Sequence, residues 1–238
     1  MKKKARSRTV QQRDRKTIAF WSFMAVALVV GAGMFWASSV RNGESDYVST
    51  YVPVTGKPAP LRLAAFGDSL TVPKGGWLDT SIDRSGGFVV ANASVAGSPT
   101  GEFLDRMGEV DATDPNVVVI LGGTNDVGRN VPTEDTVENI TTIADHYAQR
   151  GAKVVLATIP PYDKTPGKSP AVHAVNAAIT DLAAARSWGL IDFYTVLASA
   201  DSYAPGLTED GIHPTPSGIA RMTDTAAAVF KSVDLPVE

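Results

Sequence analysis

Val117-Val118-Val119-Ile120-Leu121-Gly122-Gly123-Thr124-Asn125-Asp126 decides the fold of this chain. A continuous apolar run with no polar alternation is expected of a parallel strand whose two faces are both covered. Two glycines end the run, and they let the chain pass close to a ligand. Ligands of parallel sheets bind beyond the carboxyl ends of the strands. The polar segment that follows, Thr124-Asn125-Asp126, is therefore placed where chemistry is expected.

The same pattern repeats on either side. Val154-Val-Leu-Ala-Thr-Ile159 is a second continuous run, and shorter strand candidates lie at Leu61–Phe66, Phe88–Ala91 and Leu190–Phe193. Helical stretches fall between them. Thr133 to Gln149 follows Pro132, carries Glu134 and Asp135 in its first turn and stops near Gly151. Pro170 to Trp188 is rich in alanine and ends at Gly189, and Pro216 to Val233 closes the pattern. A shorter helix is expected near Thr100–Met107, and a weak one directly after Ser69. This alternation predicts an α/β domain over residues 61–238, three layers deep, with a five-stranded parallel sheet between helices.

The remainder of the chain differs in character. Residues 1–41 carry nine Lys and Arg against one acid, Asp14, a charge of +8, so the rest carries −11 of the overall −3. An acidic body argues against nucleic acid as a partner, because phosphate binding needs a basic face. Thr17 to Val40 is a run of 24 uncharged residues with Trp21 and Trp36 near its ends. As a helix rising 1.5 Å per residue it is long enough for the ~30 Å of a bilayer core. Residues 1–16 then form a basic cytoplasmic tail, 17–40 a signal-anchor helix, and the catalytic region lies on the far side of the membrane. Cleavage of a signal peptide near Ala37-Ser38-Ser39, giving a secreted protein, is the alternative. Residues 41–60, with Gly43, Pro53, Gly56, Pro58 and Pro60, read as an extended linker. The chain has no cysteine, so it has neither a disulfide nor a thiolate metal site.

Four short segments carry the chemistry. Gly67-Asp68-Ser69-Leu70 follows the first strand and places a hydroxyl at its carboxyl end. Asn92-Ala-Ser-Val-Ala-Gly97 follows the second strand, and Gly97 can offer a backbone N–H to an oxyanion. Asn125 can offer a side-chain N–H to the same atom. Asp210-Gly211-Ile212-His213-Pro214 precedes the last helix. Three residues apart on one turn, Asp210 can hold the His213 ring in one tautomer and leave the other nitrogen free as a base. His146 and His173 fall within predicted helices and are not expected to be catalytic. The Gly-x-Gly-x-x-Gly turn of a dinucleotide-binding dehydrogenase is missing after the first strand.

Each segment alone is an ordinary turn, but their order closely resembles that of the SGNH hydrolases, also called the GDSL esterase/lipase family. The four blocks are Gly67-Asp68-Ser69-Leu70, Gly97, Gly123-Thr124-Asn125-Asp126 and Asp210-Gly211-Ile212-His213, and Gly75-Gly76-Trp77-Leu78 resembles the stretch after the serine in bacterial members. One departure is Ser94, where many members have glycine. The resemblance implies a flavodoxin-like sheet and the nucleophile Ser69. It implies the base His213 and the orienting carboxylate Asp210, with an oxyanion hole of the Ser69 and Gly97 N–H groups and the Asn125 side chain. It implies no metal and no cofactor. The expected activity is hydrolysis of short acyl or O-acetyl esters, on glycans, lipids or small molecules, through an acyl-enzyme. An O-acyltransferase acting on cell-wall glycan is the alternative, and a non-catalytic surface glycan-binding module is a third reading.

Overall fold

A computed structural model of the chain describes residues 59–235. Five parallel strands form one sheet: β1 (Arg62–Gly67), β2 (Phe88–Asn92), β3 (Val117–Leu121), β4 (Lys153–Ala157) and β5 (Gly189–Ile191). Their order across the sheet is β2-β1-β3-β4-β5, the doubly wound flavodoxin-like arrangement. Every residue of β3 is buried, as are all of β1 after Arg62, so both sheet faces are covered. That is what an unbroken apolar strand requires.

Eight helices connect or flank these strands among the described residues: α1 (Trp77–Asp83), α2 (Gly101–Leu104), α3 (Met107–Asp111), α4 (Thr124–Arg129), α5 (Thr133–Gln149), α6 (Ser169–Arg186), α7 (Phe193–Leu197) and α8 (Pro216–Lys231). Helices α1 and α7 pack against α8, while α5 packs against α6 and α2. The core between them is built on Phe66, Trp77, Phe103, Tyr147, Phe193 and Phe230, all nearly inaccessible to solvent. A two-stranded antiparallel hairpin, β6 (Ala198–Ser199) and β7 (Ser202–Tyr203), leads toward the last loop.

The chain reverses direction between β1 and its two neighbours. From β1 it runs outward to β2, then returns past β1 to β3. Such a switch point opens a crevice at the carboxyl ends of the strands. The segments after β1, β2 and β3 therefore meet at one rim, and these are the segments bearing Ser69, Gly97 and Asn125.

The structure departs from the expected elements in places that bear on the site. Ser69 does not open a helix. The chain turns back on itself, with Thr71 and Val72 N–H both donating to the Asp68 carbonyl at 3.0 and 3.2 Å, and helix α1 begins only at Trp77. The helix expected near Thr100–Met107 is two short helices, α2 and α3. Phe193 belongs to α7 rather than to β5, because the Asp192 side chain accepts the Thr195 N–H and caps a new helix there. The expected tail, membrane anchor and nearly all of the linker lie outside the described residues. Among the described residues no helix is long and apolar enough to cross a membrane.

Candidate active site

Ser69 sits two residues beyond β1, on the turn just described. Its Oγ lies 2.9 Å from His213 Nε2. The opposite ring nitrogen, Nδ1, lies 2.7 Å from Asp210 Oδ2. A carboxylate can only accept, so Nδ1 carries the hydrogen and Nε2 faces the serine with a free lone pair. Asp210 Oδ1 also accepts the backbone N–H groups of Ile212 at 2.9 Å and His213 at 2.8 Å. The hydrogen bonds from the His213 ring and backbone hold the Asp210 carboxyl far below the usual carboxylate range, so it remains ionised. The His213 and Asp210 side chains are about half exposed, at 48% and 53%.

The loop bearing this pair is fixed from three directions. Asp163 N–H donates to the Gly211 carbonyl at 2.7 Å, Tyr203 OH donates to the Ile212 carbonyl at 2.6 Å, and Thr208 Oγ1 donates to the His213 carbonyl at 2.9 Å. Asp163 in turn accepts the Tyr203 N–H at 2.8 Å, so the hairpin and the segment after β4 brace the loop together. Burial, with the nearby Asp163, Asp210 and Asp68, pushes the Tyr203 hydroxyl far up, so it remains a donor. Gly211 stands at φ 78°, and a Cβ there would meet the backbone N of Lys164 at 2.6 Å. Only glycine allows this backbone approach.

Beside the serine, residues 95–98 form a turn in which Ser98 N–H donates to the Val95 carbonyl at 3.1 Å. Gly97 occupies its third position at φ 80°, a conformation that type II turns require and that glycine adopts without strain. The turn is tied to β1 through Val95 N–H and the Gly67 carbonyl, 3.2 Å apart. Arg129 Nη2 on α4 donates to the Gly97 carbonyl at 2.7 Å. Among the described residues, the N–H groups of Ser69 and Gly97 serve no other acceptor.

Asn125 lies in the first turn of α4. Its Nδ2 donates to Asp68 Oδ2 at 2.9 Å, which ties the segment after β3 to the segment after β1. Asp68 is fully buried, and its other oxygen accepts the Leu70 N–H at 2.9 Å. Burial pushes the Asp68 carboxyl up to about 6 against the opposing pull of those hydrogen bonds. Asp126, also buried, accepts the Thr100 N–H at 3.0 Å and the Thr100 hydroxyl at 2.6 Å, and so joins the α4 turn to the start of α2.

All five residues singled out from the sequence thus lie on the rim at the switch point, with Ser69, His213 and Asp210 in one continuous hydrogen-bonded line. His146 and His173 are engaged elsewhere, His146 with Asp111 at 2.9 Å and His173 with Asp201 at 3.1 Å. Sequence reasoning passed over Asp68, Tyr203, Asp163 and Arg129 as contributors. Asp68 lay inside a quoted motif but reads there as an ordinary turn residue. The other three act through contacts 9 to 48 residues away along the chain, a separation no local pattern reports.

The arrangement can take a proton from a hydroxyl, form a bond to carbon and hold an oxyanion, which is the chemistry of acyl transfer. Comparison with known proteins agrees. The profile of the GDSL-like lipase/acylhydrolase family matches residues 65–221. Esterase TesA of Pseudomonas aeruginosa is 28% identical over 193 residues, covering 76% of this chain and 92% of that protein. A GDSL-like lipase from Bacteroides thetaiotaomicron is 26% identical with a TM-score of 0.63, covering 72% of this chain and 88% of that one. An acetylxylan esterase from Geobacillus stearothermophilus shares the fold at a TM-score of 0.64 and 16% identity, covering 74% of this chain and 96% of that one. The chain belongs to the GDSL-like lipase/acylhydrolase family, and it is a serine ester hydrolase.

Proposed function

We propose that the protein is a membrane-tethered, extracytoplasmic esterase that removes short acyl groups, acetyl above all, from bulky alcohols such as glycans. In this reading Ser69 Oγ attacks the ester carbonyl as His213 Nε2 takes its proton. The carbonyl oxygen becomes an oxyanion held by the Ser69 and Gly97 N–H groups and the Asn125 side chain. Asp210 stays ionised throughout and stabilises the imidazolium. The imidazolium then protonates the leaving alcohol, and water repeats the sequence on the acyl-enzyme. These steps need no metal and no cofactor.

The observation that carries the mechanism is the 2.9 Å separation of Ser69 Oγ and His213 Nε2, with Asp210 backing the ring at 2.7 Å. Unengaged N–H groups at Ser69 and Gly97 support the oxyanion hole. The half-exposed base supports a substrate presented on a large alcohol, because a long acyl chain needs apolar cover. The acetylxylan esterase among the structural neighbours acts on such an ester, as its name states.

The location rests on the sequence alone. Residues 1–16 would remain in the cytoplasm, 17–40 would span the membrane and 41–60 would hold the domain, 61–238, a short distance from it. Fractionation tests this: the full chain should remain with membranes and be stripped only by detergent. Release as a shortened soluble protein would contradict it.

Substrate and mechanism are tested together by an acyl series of aryl esters from acetyl to long-chain, run beside an acetylated glycan, with Ser69→Ala as control. Acetyl should turn over fastest, acetate should leave the glycan, and Ser69→Ala should do neither while remaining folded. Preference for long acyl chains would overturn the substrate class. Faster acetyl transfer to an added glycan acceptor than to water would make the protein an acyltransferase instead.

A further inference from the structure

We propose that Asp68 is a positioning residue of the hydrolytic site: its buried carboxylate fixes which way the Asn125 amide faces, so that an N–H and not a carbonyl meets the substrate oxyanion. This rests on the reading of Asn125 as an oxyanion donor.

The two ends of an asparagine amide are almost the same size, so packing alone does not choose between them. Hydrogen bonding does. An ionised carboxylate accepts and never donates, so Asp68 Oδ2, 2.9 Å from Asn125 Nδ2, turns the NH₂ end toward the serine turn. One N–H is given to Asp68, and the second is left for a ligand. Asp126 cannot perform this task, because its oxygens are engaged by Thr100 and Thr136.

Asp68 also accepts the Leu70 N–H, which shapes the serine turn. An asparagine would perform that task equally well through its amide oxygen, without a buried charge. It could not accept from Asn125 at the same time, since its NH₂ would face the Asn125 NH₂. The conflict is relieved only when Asn125 turns over and presents its carbonyl to the oxyanion. A fully buried carboxylate is expensive, and burial is what pushes Asp68 up to about 6. The charged and titratable groups that act on it or feel it are His213, Asp126 and Tyr203. Among the described residues the Asn125 amide has its hydrogen bond with the Asp68 carboxylate and none with these three, so it is the carboxylate that sets its direction.

The test is a double-mutant cycle of Asp68→Asn and Asn125→Ala, with kcat and KM for an aryl acetate at pH 8 and thermal unfolding of each variant. Asp68→Asn should lower kcat at least tenfold, part of the ~10²–10³ lost when an oxyanion donor is removed. KM should change little and Tm should hold or rise. In the Asn125→Ala background the same substitution should change kcat less than about threefold, because the amide it acts through is gone. Unchanged kcat in Asp68→Asn, equal losses in both backgrounds, or a variant that melts earlier or fails to fold would each overturn the proposal. Ser69→Ala separates the two levels. If that variant is inactive and the cycle is additive, only the positioning role fails. If Ser69→Ala keeps turning over, the hydrolytic reading fails and the positioning role falls with it.

Discussion

His213 Nε2 lies 2.9 Å from Ser69 Oγ although 144 residues separate them in sequence. The sheet makes this possible. Ser69 rides on the turn after β1, and the His213 loop is carried to it by α7, the hairpin and the bracing of Asp163 and Tyr203. A base that must reach across the fold depends on the residues that aim its ring.

Asp210→Asn tests that aim. The amide keeps the shape, but its NH₂ cannot accept from Nδ1–H, so the ring turns to the wrong tautomer or loses its anchor. Turnover of an aryl acetate should fall by ~10²- to 10⁴-fold with KM little changed. The measurement is kcat and KM beside circular dichroism to establish folding. A loss below threefold would remove Asp210 from the mechanism.

Asn125→Ala should lower kcat by ~10²–10³ and leave KM nearly constant, because the donor acts on charge that exists only in the transition state. Steady-state kinetics check it. A rise in KM with unchanged kcat would instead make Asn125 a binding residue.

Gly211→Ala should damage stability and activity together. The φ of 78° disfavours a side chain, and the new Cβ would sit 2.6 Å from the Lys164 backbone N. Destabilisation should exceed about 1 kcal/mol, and the displaced His213 should lower kcat. Tyr203→Phe is the milder companion. It removes only the hydrogen bond to the Ile212 carbonyl, so it should cost about 1 kcal/mol and lower kcat a few-fold. Chemical denaturation and kcat report both.

The pH dependence of stability has two opposing parts. Asp68 is raised from 3.8 to about 6 in the folded state, so its protonated form is the one the fold favours. Its contribution is fully present below pH 3.8 and is lost as pH rises through 6, a change of ~3 kcal/mol. Asp210 is lowered, so its contribution is present above its ordinary value of 3.8 and is lost as pH falls below that value. The Tm of Asp68→Asn minus that of the wild type should therefore grow between pH 4 and pH 7. A difference that is flat or shrinks across that range would contradict the buried-charge account of Asp68.

Elements defined by strong local signals were legible in the sequence. β3 spans Val117–Leu121 as its apolar run indicates, and α5 spans Thr133–Gln149 between Pro132 and Gly151. α8 starts at Pro216 behind a Thr215 cap, where proline's fixed φ suits the first helical turn. Short elements were not legible. Thr124–Arg129 reads as a turn because its Gly-Thr-Asn-Asp start lacks apolar periodicity, yet it closes six residues of helix ended by Asn130 in the left-handed region. After Ser69 the sequence permits a helix, but the Asp68 carboxylate takes the Leu70 N–H and holds a turn instead. The line Ser69–His213–Asp210 was anticipated through the resemblance of the four blocks to the SGNH pattern, since each block alone reads as an ordinary turn and only the folded sheet brings residues 144 apart within 2.9 Å. The Asp68–Asn125 bond was not, because it depends on a register between β1 and β3 that only the folded sheet supplies.

The most direct measurement is labelling of the purified protein with a fluorophosphonate, followed by mass spectrometry of its peptides. One adduct on Ser69, formed in step with complete loss of esterase activity and absent from His213→Ala, is the expected result. Full inactivation with the adduct on another residue, or undiminished hydrolysis once Ser69 is fully labelled, would contradict a serine at this position as the nucleophile.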